Sequence, residues 1–462
     1  MQEFIPPSPP RAEKWQPFPK LLRVARRNFL AVFPQSAYSK DFLRGVVLRR
    51  PIALINSPDL VKEAFGQKHE TYQRKSPQMR HALRPLIGDG LFVSDGEVWN
   101  QRRKIVAPII HTNRLSEFSP IMIDTAVERR DVWETLGEGA QIDVMSEMAK
   151  LTAGIICRSV FGEKLADQHA AQIVEGFFHY QKHIDQVDVM SLLGLPDWLP
   201  RYHGFGIKRA AKRILSVIDE IVAVTAAQAD AGQGSVVSTL LSAKDESGQT
   251  LSRDAIRNEA AVIFMAGYET TANTLSWAWY ILSQADWARE KLHAELDQVL
   301  GGRVPTLDDV KKLPYTRAII EETLRLYPPV PMLAREALAD ETIGGREIKK
   351  GTIVLVSPWI LQRNPKLWDK PDNFVPERFM PEGGSAPSKY AYVPFSTGPR
   401  VCAGLTFGLT EAIICLAVLA QRIDLRLSPT AEVEAVSRLT LRPGESLPMT
   451  IHRRVASALA AE

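Results

Sequence analysis

From Ser252 to about Asp286 the apolar residues keep a helical spacing without a break, and Ser252 is a residue type that caps helix N-termini. At ~1.5 Å per residue such a helix is ~50 Å long, enough to cross a molecule of this size. The other elements must be arranged around it, and a helix through the centre of a protein can form one wall of an enclosed site. Its middle reads Ala266-Gly267-Tyr268-Glu269-Thr270-Thr271, which puts a carboxylate and a hydroxyl together in an otherwise apolar stretch. Burying them is unfavourable unless they have partners. Threonine can bond back to the carbonyl four residues earlier and bend a helix, while Gly267 lets another group approach the backbone closely. The plainer alternative makes Glu269 a solvated or salt-bridged position and Thr270 a packing residue.

Around this helix the coarse pattern is a little strand early and then mostly helix. Val46–Leu48 and Ile52–Ile55 flank Arg49-Arg50-Pro51 and read as paired short strands, and a helix follows from about Pro58 to Phe65. Helical spacing holds from Ser116 to Leu165, broken at Gly137-Glu138-Gly139, and again from Gly206 to Ala231. Gly232 to Ser235 and Lys244 to Thr250 read as surface loops. No linker, repeat or low-complexity block divides the chain. Length alone suggests about three domains, but the expectation is one, with residues 1–40 as an extension and first helix, 41–453 as the core and 454–462 as a tail.

Composition removes several classes. Apolar residues at 45% and charged residues at 24% describe a folded globular protein. A formal charge of +4 over 462 residues gives no nucleic-acid footprint. Cys157, Cys402 and Cys415 are too few and too irregular for a disulfide framework or zinc site, which points to a reducing, cytoplasmic setting. No apolar run approaches the ~20 residues of a transmembrane helix, and Pro6, Pro7, Pro9 and Pro10 do not open a signal peptide. Pro19 to Phe33 is basic and amphipathic, with Lys20, Arg23, Arg26 and Arg27 among apolar residues. It reads as a first helix packed on the body, with a membrane surface as the alternative.

Phe395-Ser396-Thr397-Gly398-Pro399-Arg400-Val401-Cys402-Ala403-Gly404 sets one cysteine among turn residues with an arginine two places before it. A thiolate needs positive charge or hydrogen-bond donors, and Gly398, Pro399 and Gly404 can shape a tight loop whose N–H groups turn toward the sulfur. Without its flanks, Cys402 would read as a buried apolar cysteine. The flanks fill every fixed position of Phe-x-x-Gly-x-Arg-x-Cys-x-Gly, and in this the chain resembles the cytochrome P450 superfamily. The resemblance implies a haem b cofactor with Cys402 as the thiolate ligand of its iron. It also places Phe395, Ala266 and Gly404 at the cofactor and lets Arg400 reach a propionate.

Other segments match the same family in order, from about Asp41 to Arg453. Ala266 to Thr270 matches its Ala/Gly-Gly-x-Asp/Glu-Thr motif, so the resemblance assigns Thr270 and Glu269 to proton delivery for dioxygen. Trp99 and Arg103 match Trp-x-x-x-Arg, four residues apart on one helix face, and Arg335 after Pro328-Pro329-Val330-Pro331 matches another propionate-binding arginine. Glu322 and Arg325 share a helix face. With Arg378 of Pro376-Glu377-Arg378-Phe379 they match a buried structural triad. The fold implied is mainly α, a triangular helical prism with a small β region and the long helix over the haem.

By the same resemblance the substrate pocket is walled by Met79, Leu83, Leu86, Phe264, Gly267, Met332 and Leu439, a lining for a lipophilic small molecule, though most of these are equally plausible core residues. Arg74, Lys75, Arg80 and Arg84 could hold a carboxylate at its mouth or form a solvated basic loop. The roughly sixty residues after Cys402 leave no room for a flavin or iron–sulfur domain, so electrons are expected from a ferredoxin or flavodoxin with its reductase. Arg102, Lys104, Lys366, Lys370 and Lys389 are candidates for its docking patch. The expected activity is a soluble monooxygenase that hydroxylates or epoxidises its substrate with O2. A peroxide-driven peroxygenase and a non-catalytic haem sensor or carrier are the alternatives.

Overall fold

The computed structural model describes residues 3–184, 188–197, 199, 204–227, 234–382 and 388–454. The expected tail beyond Arg454 lies outside them, as do the end of the helix expected to reach Ala231 and the first half of the loop after it.

The central helix runs Arg253–Gln284, 32 residues, and the Ser252 hydroxyl accepts the Ala255 N–H at 3.2 Å. It is buried on nearly every side, which is why its apolar residues go all the way round rather than forming a stripe. Helices Val144–Phe161, Phe205–Ala227, Pro314–Leu326 and Leu405–Ala420 pack on it. Gly267 suits the close contact with Val144–Phe161, because a Cβ there would lie 2.7 Å from Ile156 Cδ1 and that side chain would have to shift. The group that approaches the glycine is therefore a neighbouring side chain.

The segment expected to be helical from Ser116 to Leu165 is two helices, Leu115–Leu136 and Val144–Phe161, with a short strand, Gln141–Asp143, between them. A third, Glu163–His183, begins before Leu165. Pro58–Val61 continues as a π-helical turn, Lys62–Gln67. Phe18–Arg27 is a helix that buries Ala25, packs Leu21 and Val24 on the body and leaves its cations exposed, as the packed-helix reading expected.

A five-stranded sheet runs in the order Phe42–Val47, Arg50–Ile55, Ile353–Val356, Leu333–Glu336, Arg74–Lys75. The first strand stops at Val47, one residue short of expectation, because Leu48 turns the hairpin with φ 54°. At the other end Lys75 pairs with Arg335 across an antiparallel ladder, which sets both cations beside the cavity described next. A three-stranded sheet joins Gln141–Asp143, Pro448–Arg453 and Ile423–Leu427. Among the described residues, no helix is long and apolar enough to cross a membrane.

Candidate functional site

A cavity of about 300 Å³ lies between the central helix and the loop that carries Cys402. Local backbone geometry holds the loop. Cys402 N donates to Phe395 O at 2.9 Å and Val401 N to Gly398 O at 3.0 Å. Gly398 has φ +70°, and a Cβ there would run into the carbonyl oxygen of Phe65, so only glycine fits. The Cys402 side chain opens onto the cavity, where burial pushes its thiol pKa up while the Gly404 N–H, Arg103 and Lys75 pull it down. Phe395 and Gly404 line the same space.

Four cations converge here. Arg335 is 2% exposed, yet neither Nη atom has a hydrogen-bond partner, and burial lowers its pKa to about 9 with help from Arg400. Arg400 donates to Ser94 O at 2.6 Å and lies over the Trp99 ring at 4.5 Å. Its pKa falls to about 10 through burial. Arg103 and Trp99, one helical turn apart on Gly96–Ile109, both reach the cavity. Lys75 is the fourth, its Nζ 4.3 Å from the Phe92 ring centre and its pKa driven well down by burial. The sequence alone offers Lys75 a pocket mouth or a solvated basic loop, and only the pairing of its segment with Arg335, which no local pattern announces, brings it to the cavity. Its neighbours there divide differently: Arg80 is buried against Asp197 and against Glu336 at 3.0 Å, Arg74 pairs with Asp95, and Arg84 is exposed.

On the opposite wall Ala266, Gly267, Glu269 and Thr270 line the cavity. Thr270 Oγ1 donates to Ala266 O at 2.7 Å, the back-bond expected of a threonine in a helix. Glu269 is buried in a salt bridge: its Oε1 accepts Arg442 Nη2 at 2.8 Å and Thr440 Oγ1 at 2.7 Å, with Asn273 holding Thr440. That partner lies 173 residues away and no local pattern announces it.

Met79, Leu83, Met332 and Leu439 line the cavity as expected, joined by Phe92 and Val262. Phe264 and Leu86 do not. Both are fully buried, and Phe264 instead stacks with Phe161, Phe177 and Tyr268 on the far face of the central helix.

Below the site, Arg325 meets Glu322 through Nε at 2.6 Å and Nη2 at 2.8 Å, both residues being fully buried. Arg378 Nε approaches Glu322 at 3.4 Å, so the three expected residues do come together. Arg102, expected on the surface, is buried near Glu259 at 3.7 Å. Lys104 and Lys366 are exposed but paired with Glu246 and Asp41, and Lys370 pairs with Glu3.

Residues 6–446 match the family description "Cytochrome P450". Cyclooctatin synthase from Streptomyces melanosporofaciens is 34% identical over 92% of this chain and 91% of its own. Cyclooctat-9-en-7-ol 5-monooxygenase from the same organism is 31% identical over 75% of this chain and 74% of its own. Cytochrome P450 4V2 of Mus musculus is 32% identical over 96% of this chain and 91% of its own. A crystal structure of the cytochrome P450DA heme domain superposes with a TM-score of 0.81 at 25% identity, covering 97% of this chain and 98% of that one. The chain belongs to the cytochrome P450 family and is a haem-thiolate monooxygenase whose cofactor is haem b.

Proposed function

We propose that this protein inserts one oxygen atom of O2 into a lipophilic small molecule, by hydroxylation or epoxidation, with electrons from a separate ferredoxin or flavodoxin. The observation that carries the reading is the cavity itself, which has an apolar wall along Met79, Leu83, Phe92, Val262, Met332 and Leu439 beside the polar groups around Cys402 and Thr270. Such a lining selects by shape and hydrophobicity. The name of one relative denotes an unsaturated alcohol oxidised at a single position, a substrate of the same lipophilic kind.

The residues present fit haem. A fully buried arginine with two unpartnered Nη atoms needs an anion, and a propionate meets that need through charge-assisted bonds. We assign Arg335, Arg400, Arg103 and Lys75 to the propionates, with Trp99 stacked under Arg400, and Cys402 to the iron. Haem bound there supplies the activation of O2. The rest falls to the chain. The apolar wall orients the substrate and excludes water, Thr270 offers a hydroxyl at the open face of the central helix, and the Glu269 carboxylate stands beside it, held by Arg442 and Thr440. Presence of this acid–alcohol pair favours O2 with a reductase over peroxide alone. Glu322, Arg325 and Arg378 brace the segment that leads to the cysteine loop, and the chain acts as one catalytic domain. Cys157 and Cys415 are free buried thiols, in keeping with a cytoplasmic setting.

The test is a titration of the ferric protein with graded fatty acids, terpenoids, steroids and small aromatics, followed at the Soret band. A shift from low to high spin confined to one class is expected. No shift across the panel, with haem intact, would overturn the lipophilic-substrate reading.

A further inference from the structure

The irregular turn 88–95, between the helices Pro77–Ile87 and Gly96–Ile109, carries Leu91 and Phe92 into the cavity wall. Two neighbouring side chains of the central helix hold it from behind. Both carboxyl oxygens of Glu259 accept the Leu91 N–H, at 3.0 and 3.1 Å, and Asn258 Nδ2 donates to Asp89 Oδ1 at 3.1 Å. Three and four residues further along the helix, Val262 and Ile263 line the same cavity. The fit is close, since a Cβ on Gly90 would lie 2.6 Å from Val262 Cγ2. Glu259 itself is fully buried and stands behind the wall rather than in it. Arg102, buried on Gly96–Ile109, faces Glu259 at 3.7 Å and Asp89 at 3.6 Å, and its Nε and Nη1 have no hydrogen-bond partner. Burial raises the Glu259 pKa to about 7, against the Leu91 N–H and Arg102, which favour the ionised form, and with Asp89, which opposes it.

We infer that Glu259 is a positioning residue for substrate selection: its hydrogen bond to the Leu91 N–H latches the turn against the central helix, fixes how far Leu91 and Phe92 reach into the cavity, and so limits the size of lipophilic molecule the protein accepts. An ionised Glu259 grips the N–H and Arg102 more strongly than a neutral one, because charge-assisted bonds are the stronger kind. The size limit therefore tightens as pH rises through about 7. The role rests on the lipophilic-substrate reading above, and it is tested with probes that bind the haem iron whatever the natural substrate is.

The experiment titrates the haem-loaded ferric protein with N-methyl-, N-butyl- and N-octylimidazole, read at the Soret band as the imidazole takes the iron. The quantity compared is the affinity of the octyl compound relative to the methyl one, a ratio from which the probes' shared protonation cancels. In wild type the ratio should fall roughly tenfold from about pH 6 to about pH 8, the discrimination that an apolar wall exerts over small differences in size. Glu259→Gln keeps an oxygen for Leu91 but cannot ionise, so it should hold the low-pH ratio throughout. Leu91→Ala/Phe92→Ala should raise the ratio and abolish its pH dependence, and adding Glu259→Gln to that variant should change nothing further. A wild-type ratio that stays flat over this range would overturn the inference, as would an undiminished pH dependence in Leu91→Ala/Phe92→Ala. Neither result needs Glu259→Gln to load haem. If the imidazoles bind but no compound of the lipophilic panel shifts the spin state, the substrate reading fails, and the ratio alone still decides whether Glu259 is a latch.

Discussion

Glu322→Ala removes the acceptor for Arg325 Nε and Nη2 at 2.6 and 2.8 Å, for the Val375 N–H at 2.8 Å, and the counter-charge for Arg378 at 3.4 Å. Arg325 is fully buried and stays behind with its charge. Breaking such a pair from one side costs about 3–5 kcal/mol, because the remaining ion is left uncompensated. For 462 residues the unfolding entropy is about 1 kcal/mol/K, so the midpoint should fall by about 3–5 °C. Thermal unfolding of the haem-loaded protein, followed by circular dichroism and the Soret band together, measures it, and the yield of haem-loaded protein should drop as well. Glu322→Gln keeps an acceptor for Val375 and should lose less. A Glu322→Ala protein that unfolds within about 1 °C of wild type with a full haem load would refute the argument.

Gly398→Ala adds strain at φ +70° and a Cβ that collides with the Phe65 carbonyl, so the cysteine loop should fail to close and haem content should fall sharply in purified protein. Arg335→Leu should weaken haem retention by about 1.5–3 kcal/mol if it removes one charge-assisted bond, read as faster haem transfer to apomyoglobin, with Arg335→Lys intermediate; equal transfer rates would count against the propionate assignment. Glu259 is fully buried with its pKa raised from 4.5 to about 7, chiefly by burial. A folded state that holds the proton more tightly loses stability as pH rises through that window, by about 3 kcal/mol in all. Glu259→Gln should flatten that slope in urea titrations between pH 4.5 and 7.

What was legible in the sequence was local. The Ser252 cap, the Glu322–Arg325 spacing and the turn around Cys402 each depend on residues within a few positions of one another, and the structure places them as expected. What was hidden depends on pairs far apart. Lys75 meets Arg335 only through a two-residue strand, and Arg442 meets Glu269 only because a C-terminal hairpin folds over the central helix. Facing was ambiguous for a different reason. Where a helix is apolar all round, its periodicity does not say which apolar residue looks into a cavity, so Phe264 was expected there while its neighbours Val262 and Ile263 line it. Burial of Arg102 escaped for lack of any sign that Glu259 and Asp89 would face it.

The Arg325 guanidinium also donates to the backbone oxygens of Gln362, Pro371 and Asn373, at 2.8, 2.7 and 2.8 Å. From the other side, the Gln362 amide donates to the carbonyls of Leu324 and Arg325 and accepts the Val393 N–H. Two side chains thus give a largely irregular stretch the fastening that a sheet ladder gives elsewhere. Connecting segments are ordinarily where chains tolerate insertion, proteolysis and drift. This one should behave in the opposite way: an insertion scan would find residues 362–375 as unforgiving as the middle of a helix, and a protease would pass over them despite their lack of regular structure.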